Sequence, residues 1–285
     1  MTMVGYIRID GAIYRFLGVD TIGDVAMITN GTIPPLQQIN LRVQPTQTQF
    51  TFQGYGIELT LTYTQPAFPD QLNYFTRPYV YITTEVRSLD STPHSVQLYM
   101  DFVSDIVVNN LNDWIMWEDV SFDSQSKIYR HQSYNQYAFV DHGDRTKPNW
   151  GHLYLATQSL YLSSSTQTNV FLARQAFMNG GRQLPQRDNE QQPKPAKDNW
   201  PVNAFLYDYG QVEINVNLSS YIILAYDDVY SMNYFSHYQI PYWKHIYGSW
   251  RRMLSAAFQE YEQIKQMANE YDEKLIQEYS NTAGI

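Results

Sequence analysis

Between Phe50 and Tyr63 the side chains alternate with a period of two, and this alternation constrains the fold more than any other feature. Phe50 and Phe52 are separated by a threonine, and Gly54-Tyr-Gly56 turns the chain. Ile57, Leu59, Leu61 and Tyr63 then alternate with Glu58, Thr60 and Thr62. A period of two puts one set of side chains on a buried face and the other in water, which is the signature of a strand buried on one face. The same grammar recurs along the chain. Tyr6-Ile-Arg-Ile-Asp10 meets Gly11 and returns as Ala12–Leu17, an Asp-Gly hairpin signal. Tyr79–Val86 predicts another strand, Ser88–His94 a turn, and Val96, Leu98, Met100 and Phe102 alternate on the return.

Further strands are predicted at 119–122, 127–131, 138–140, 152–156, 170–173, 202–209 and 219–226. Residues 18–38 and the stretch from Pro66 to Pro78 read as connections, and 178–199, with Gly180-Gly181 and three prolines, as a solvated loop. Adjacent antiparallel strands joined by short turns build a sandwich, not the strand–helix alternation of a parallel sheet.

The last forty residues change period. From Ser249 onward Met253, Leu254, Phe258, Tyr261, Ile264, Ala268, Tyr271, Leu275 and Tyr279 recur at three- and four-residue intervals, which places them on one face of a helix longer than 25 residues. An apolar stripe of that length must be covered, either by the sandwich or by a neighbouring domain. The expected class is therefore mainly β: an antiparallel two-sheet sandwich or supersandwich over residues 1–245, followed by a long C-terminal α-helix over 246–285.

Composition narrows the function classes. Net charge is −9 over 285 residues, and no basic patch large enough to neutralise phosphates is visible, so no nucleic-acid partner is expected. Lys244, His245, Arg251 and Arg252 form the densest basic cluster and mark a helix entrance. No run approaches the roughly 18 apolar residues of a membrane span, so no membrane partner is expected, and no signal peptide is read at the N-terminus. Cysteine is absent, which removes disulfides, thiolate nucleophiles and cysteine metal sites. The six histidines show no paired metal-ligand spacing, so neither metal nor cofactor is expected. His142-Gly-Asp144 lacks a G-x-S-x-G partner, Ser163-Ser-Ser165 reads as loop, and no phosphate-cradling glycine loop is present. Two glycosylation sequons occur, at Asn30-Gly-Thr32 and Asn217-Leu-Ser219. Aromatic residues are abundant, with 25 Tyr, 13 Phe and 6 Trp, and suit half-buried strands, interfaces and polar ligands alike.

Several short segments, in order, resemble the β domain of the glutaminase A family of fungi and bacteria. They are Gly5-Tyr-Ile-Arg-Ile-Asp-Gly11 with Tyr14-Arg-Phe-Leu-Gly18, Arg77-Pro78, His94-Ser-Val-Gln-Leu-Tyr99 and Trp150-Gly-His-Leu-Tyr-Leu155. Asp198-Asn-Trp-Pro201, Leu224-Ala-Tyr-Asp-Asp-Val-Tyr-Ser231, Tyr234-Phe235 and Pro241-Tyr-Trp243 complete the series. The resemblance implies a β-sandwich that precedes a helical (α/α) barrel similar to that of six-hairpin glycosidases. It also implies hydrolysis of L-glutamine to L-glutamate and ammonia by the whole protein. On that basis the expected partners are a C-terminal helical barrel of the same protein and glutamine, a small polar substrate; an extracellular setting follows from the family. This chain would then be a fragment, inactive alone, and no catalytic residue is assigned to it.

Candidate contact residues follow from chemistry. Asp227 and Asp228 end an apolar strand, and adjacent strand residues face opposite ways, which suits ligand or interdomain contact better than a cooperating acid–base pair. Alternatively they cap the turn and pair with Arg or Lys. Tyr230 and Trp243 flank them. Trp114 and Trp117, after the Asn/Asp cluster 109–113, offer aromatic platforms beside amides, or pin a loop. An exposed apolar patch on the order of several hundred Å² is expected along Met253–Tyr279 and around Trp243 and Trp250. Rival readings are a carbohydrate-binding or glycan-processing accessory module, and a self-standing interaction domain that oligomerises through exposed rings.

Overall fold

The computed structural model describes residues 3–19, 33–140, 149–186 and 191–283. The sequon at Asn30 and the His142-Gly-Asp144 segment lie outside them. The fold is mainly β, with two large antiparallel sheets.

The smaller sheet joins β1 (Met3–Ile9), β2 (Ala12–Leu17), β7 (His94–Val103), β11 (Leu162–Asn169) and β13 (Pro201–Val212) in the order β11-β13-β7-β1-β2. The larger sheet holds β3 (Gln37–Val43), β4 (Gln47–Gly54), β5 (Ile57–Thr64), β6 (Tyr79–Ser88), β8 (Trp114–Asp119), β9 (Lys127–Ser133), β10 (His152–Thr157), β12 (Lys194–Pro195) and β14 (Asn217–Asp227). Its order is β12-β8-β9-β10-β14-β6-β5-β4-β3. The predicted 50–63 hairpin is β4–β5. Gly54 faces Ile57, and the two-residue loop has φ of 55° at Tyr55 and 75° at Gly56, the turn that matches strand twist. Between the sheets, Ile57, Leu59, Leu61 and Ile82 meet Leu98, Met100 and Phe205, all almost wholly removed from water.

Each sheet also carries a helical layer on its outer face. Val170–Ala173, expected as strand from its β-branched and aromatic residues, opens helix α2 (Val170–Met178), α1 being the short turn Leu72–Phe75 in the Pro66–Pro78 connection. Asn169 reverses the expectation: its side chain accepts from Leu172 N at 2.9 Å, a cap that starts a helix. Val170, Ala173, Arg174 and Phe177 then fall on one buried face, and Phe177 stacks on Tyr99 at 5.2 Å. Arg174 forms a fully buried pair with Asp101, Nε to Oδ2 at 2.7 Å.

The C-terminal helix is two helices, α4 (Trp250–Gln259) and α5 (Tyr261–Ala283), broken at Glu260; α3 (Tyr242–Tyr247) precedes them. They lie across the outer face of the larger sheet. Met253, Leu254, Ala257, Phe258, Tyr261, Ile264 and Ala268 are buried against Tyr81, Tyr154, Tyr221 and Ile223. Tyr81 Oη donates to the Ala257 carbonyl at 2.7 Å, and Tyr261 stacks on Tyr221 at 3.9 Å. Farther along, buried Asp272 accepts from Thr46 N at 2.9 Å. The exposed patch expected along Met253–Tyr279 is thus largely absent, because the tyrosines on the sheet's outer face supply the cover. Trp243 is buried in the same layer, and Trp250 stacks on Tyr154 at 4.6 Å. Large rings and aliphatics stay in water at two places in this layer: the end of α5, with Ile276 at 44% and Tyr279 at 67% exposure, and beside Trp243 on α3, where Tyr242 and Ile246 are exposed.

Three further expectations are corrected. The strand expected at 119–122 is β8, five residues earlier, because the Asn/Asp cluster ends at Trp114 and leaves 115 and 117 free to alternate inward. Residues 138–140 form no strand. Ser163–Ser165, expected as loop, lies in β11 at the sheet edge, where each hydroxyl finds a partner: Ser163 donates to the Leu206 carbonyl, Ser164 accepts from Leu184 N and Ser165 from the Tyr129 hydroxyl. No helix of the described residues is long and apolar enough to cross a membrane.

Candidate functional site

Two of the motif segments read in the sequence meet at the ends of β10 and β14. His152 is paired in register with Asp227, so both side chains project from the outer face of the larger sheet. Gly151 makes the meeting possible. Its φ is +89°, and a Cβ there would overlap the Asp227 carbonyl oxygen and lie 2.9 Å from Asp228 Cα. The Trp150 carbonyl on the other side of the glycine accepts from the Tyr226 hydroxyl.

Beyond Asp227 the chain makes a tight, strained turn. Tyr230 N donates to the Asp228 carbonyl at 2.6 Å around Val229, whose φ is +60°. A β-branched residue in that region costs on the order of 1–3 kcal/mol, and such strain persists only where the surroundings hold it. Two contacts hold it here. Val229 N donates to Asp227 Oδ1 at 2.9 Å, and Lys244, from α3, bridges Asp227 Oδ1 at 2.7 Å and the Val229 carbonyl at 3.2 Å. Asp227 thus caps the turn and pairs with a lysine.

Asp228 sits differently. Its side chain is half-buried, makes no hydrogen bond to another of the described residues, and is pushed up to about 6, first by burial and then by the neighbouring Asp227 charge, with Lys244 opposing. Burial and the charge of Arg130 hold His152 below the usual histidine range, so its imidazole is neutral near pH 7. Among the described residues its Nδ1 has no partner, nor do the indole nitrogens of Trp150 and Trp243.

A hairpin forms the wall beside this turn: β15 (Met232–Tyr234) and β16 (His237–Gln239). Met232, Tyr234, Phe235 and Tyr238 are exposed, Phe235 at 80%. Tyr230 packs on Tyr238 at 5.0 Å, and Tyr238 on Phe139 at 5.5 Å, so the hairpin is anchored by rings while its tip stays in water.

Trp114 and Trp117, expected as a pair of platforms in a loop, lie on β8 and face opposite ways, because three residues along a strand is an odd step. Trp117 is buried, over His131 at 6.4 Å, whereas Trp114 is 48% exposed on the outer face. The structure therefore brings Asp227, Asp228, Tyr230 and Trp243 together with Trp150, His152 and Lys244, and sets the two tryptophans of β8 apart. His152 and Lys244 carried a signal in the sequence: each sits in a segment of the resemblance or beside one, His152 one residue after a glycine. Among the described residues no three His, Asp or Glu side chains gather as a metal site would require.

Residues 46–278 match the family model described as a domain of unknown function, DUF5127. The chain belongs to the DUF5127 family. This DUF5127 chain is also 25% identical over 287 aligned residues to Glutaminase A of Aspergillus oryzae, an alignment that covers 98% of the chain and 39% of that relative. It therefore spans about two fifths of the length of the curated relative. Among solved structures, a putative kojibiose phosphorylase from the human microbiome is 8% identical with a TM-score of 0.38, over 78% of this chain and 21% of that one. A GalM/aldose epimerase homologue from C. elegans is 11% identical with a TM-score of 0.35, over 78% of each.

Proposed function

We propose that this chain is the N-terminal β domain of a glutaminase A-like amide hydrolase, and that it supports the active site of a helical barrel supplied by the same protein. The observation that carries the reading is the similarity to Glutaminase A through 98% of the chain. The geometry agrees with it. The exposed rings of the β15–β16 hairpin stand above the Asp227–Lys244 turn and form an apolar wall of the kind that a further domain covers. At the foot of that wall, Asp228 would accept from the α-ammonium of a glutamine, since above about pH 6 it is ionised and none of the described residues donates to it. The exposed indole of Trp114 favours a second, compatible reading, a carbohydrate-binding accessory role in a protein with a glycosidase-like barrel.

The test is ammonia release from L-glutamine. The longer protein that carries this segment is expected to release it, and the 285 residues alone are expected to release no more than a heat-treated control. Turnover by the isolated chain overturns the accessory role; failure of the longer protein on glutamine overturns the amide-hydrolase reading.

A further inference from the structure

The outer face of β8 has a chemistry that the glutamine reading does not use. Trp114, Met116 and Glu118 alternate on this face. Register places Met116 opposite Gln132 and Glu118 opposite Arg130 on β9, and Tyr134 N bonds the Trp114 carbonyl at 2.7 Å. On the other side β12 brings Pro195 opposite Trp114. Helices α4 and α5 cover the β10–β14–β6 part of this face and leave the β8 end open, so Trp114 and Tyr134 stand about half exposed beside one another.

Two clefts border the strand. One, of about 340 Å³, is lined by Trp114, Gln191, Lys194, Pro195, Asp198 and Asn199. The other, of about 120 Å³, is lined by Met116, Glu118, Arg130 and Gln132. The charges at the second cleft are already matched, since Arg130 pairs with Glu118. What remains are planar polar groups. The side chains of Gln191, Asp198 and Asn199 make no hydrogen bond within the described residues, and the buried Gln132 carbonyl oxygen has no donor. Asn199 and Trp200 have φ of 56° and 46°, which fixes the Asp198-Asn199 pair at the rim of the first cleft.

A flat exposed indole offers a face for the C–H side of a pyranose ring. Uncommitted amide and carboxylate groups at its edge match the vicinal hydroxyls of such a ring, which both donate and accept. The two charged residues that line the first cleft, Lys194 and Asp198, are of opposite sign, and the second cleft's Arg130 and Glu118 pair with each other, so the lining as a whole carries no net charge to favour an ion. We propose that the outer face of β8, with the 191–199 segment as its rim, binds a neutral pyranoside, stacked on Trp114 and hydrogen-bonded by Gln191, Asp198 and Asn199. The proposal deepens the carbohydrate reading and is independent of amide hydrolysis.

The experiment titrates the whole chain with maltotriose, cellotriose and xylotriose separately, read by tryptophan fluorescence and by calorimetry. Trigalacturonic acid and L-glutamine are comparison arms. At least one neutral trisaccharide is expected to bind with a Kd of about 1 mM or below. Trp114→Ala is expected to weaken that binding at least tenfold, and Asp198→Ala about fivefold, while Leu160→Ala, at a fully exposed position outside both clefts, leaves it unchanged. Trp114 is half in water, so its removal does not endanger the fold, and a far-UV spectrum verifies this. No binding of any neutral trisaccharide up to about 10 mM overturns the proposal. So does tighter binding of trigalacturonic acid, or binding that survives Trp114→Ala. Glutamine binding that ignores Trp114→Ala bears on the amide-hydrolase reading alone.

Discussion

Lys244 Nζ stands 2.7 Å from Asp227 Oδ1 and 3.2 Å from the Val229 carbonyl oxygen, so one ammonium closes a turn that begins at the end of β14. Both ends of the ion pair are largely buried, with side-chain exposures of 17% for Lys244 and 8% for Asp227. Removal of one member of such a pair leaves the other uncompensated, and the strain at Val229 loses a restraint as well. Lys244→Met is expected to destabilise the fold by about 2–3 kcal/mol, measured by urea unfolding at pH 7. It is also expected to raise the Asp228 midpoint above its present value, because Lys244 is the cation that lowers it. Carboxylate NMR of the variant checks this; a midpoint that stays put or falls contradicts the arrangement.

Asp228 and His131 oppose each other in their effect on stability against pH. Folding raises Asp228 from 3.8 to about 6, so between those values the folded state holds more protons and stability falls as pH rises. His131 is fully buried, with its ring between Ser104 and Asn203, and burial lowers it to about 4. Between about 4 and 6.5 the unfolded state therefore holds more protons, and stability rises with pH. The two slopes partly cancel in the native chain. Asp228→Asn is expected to add about 1 kcal/mol at pH 7, a figure discounted for its solvent exposure, and to steepen the rise between pH 4 and 6. His131→Gln, which keeps the hydrogen-bonding capacity, is expected to remove the His131 contribution and so flatten the rise between pH 4 and 6, with the lowered His152 still adding a rise toward the upper end of that range. Urea midpoints across that range distinguish these outcomes.

Gly151 is the position where the two motif strands touch. Alanine there combines a φ of +89° with a Cβ that overlaps the Asp227 carbonyl oxygen, and neither backbone can move without disturbing the strained Val229 turn. Gly151→Ala is expected to cost more than about 3 kcal/mol. Gly180→Ala serves as the comparison, since φ is +82° but no atom lies within 4 Å of the added carbon. It should cost only the backbone penalty, on the order of 1 kcal/mol. Equal losses in the two variants would mean that the close contact at 151 contributes nothing.

The two-sheet architecture was legible because period-two alternation depends on one face being buried, and β5 obeys it from Ile57 to Leu61; β1 and β7 are instead buried on both faces, because α2 covers the outer side of their sheet. Where local signals competed, the reading failed. Val170-Phe-Leu-Ala has the residue types of a strand, and only the Asn169 side chain, a single capping bond, turns it into helix. The site was legible in part. Asp227, Asp228 and Tyr230 announce themselves as an acidic pair in a polar turn after an apolar strand. Lys244 and His152, which complete the cluster, reach it through strand pairing and a distant helix, and no local pattern encodes those contacts. Trp114 and Trp117 show the limit of spacing without a strand assignment. Once β8 is known, a step of three residues puts them on opposite faces.

The fate of the C-terminal stripe shows how a correct periodicity led to the wrong surface. The helical spacing from Met253 to Tyr279 is real, but its first part meets the outer-face tyrosines of the larger sheet. Only the last two turns extend past them. Ile264 is fully buried, while Tyr279 is 67% exposed. Ile264→Ala leaves a cavity under α5 beside Tyr221 and is expected to cost about 2–4 kcal/mol. Tyr279→Ser removes an exposed ring and is expected to change stability by no more than about 0.5 kcal/mol in the isolated chain. The comparison separates two accounts of the helix. If α5 belongs to this domain's own core, the Ile264 variant unfolds in one transition at lower urea, with the helix and sheet signals lost together. If α5 were held only by a neighbouring domain, far-UV helical signal would be lost before the tyrosine fluorescence of the sheet changed, and Ile264→Ala would scarcely move the sheet's midpoint.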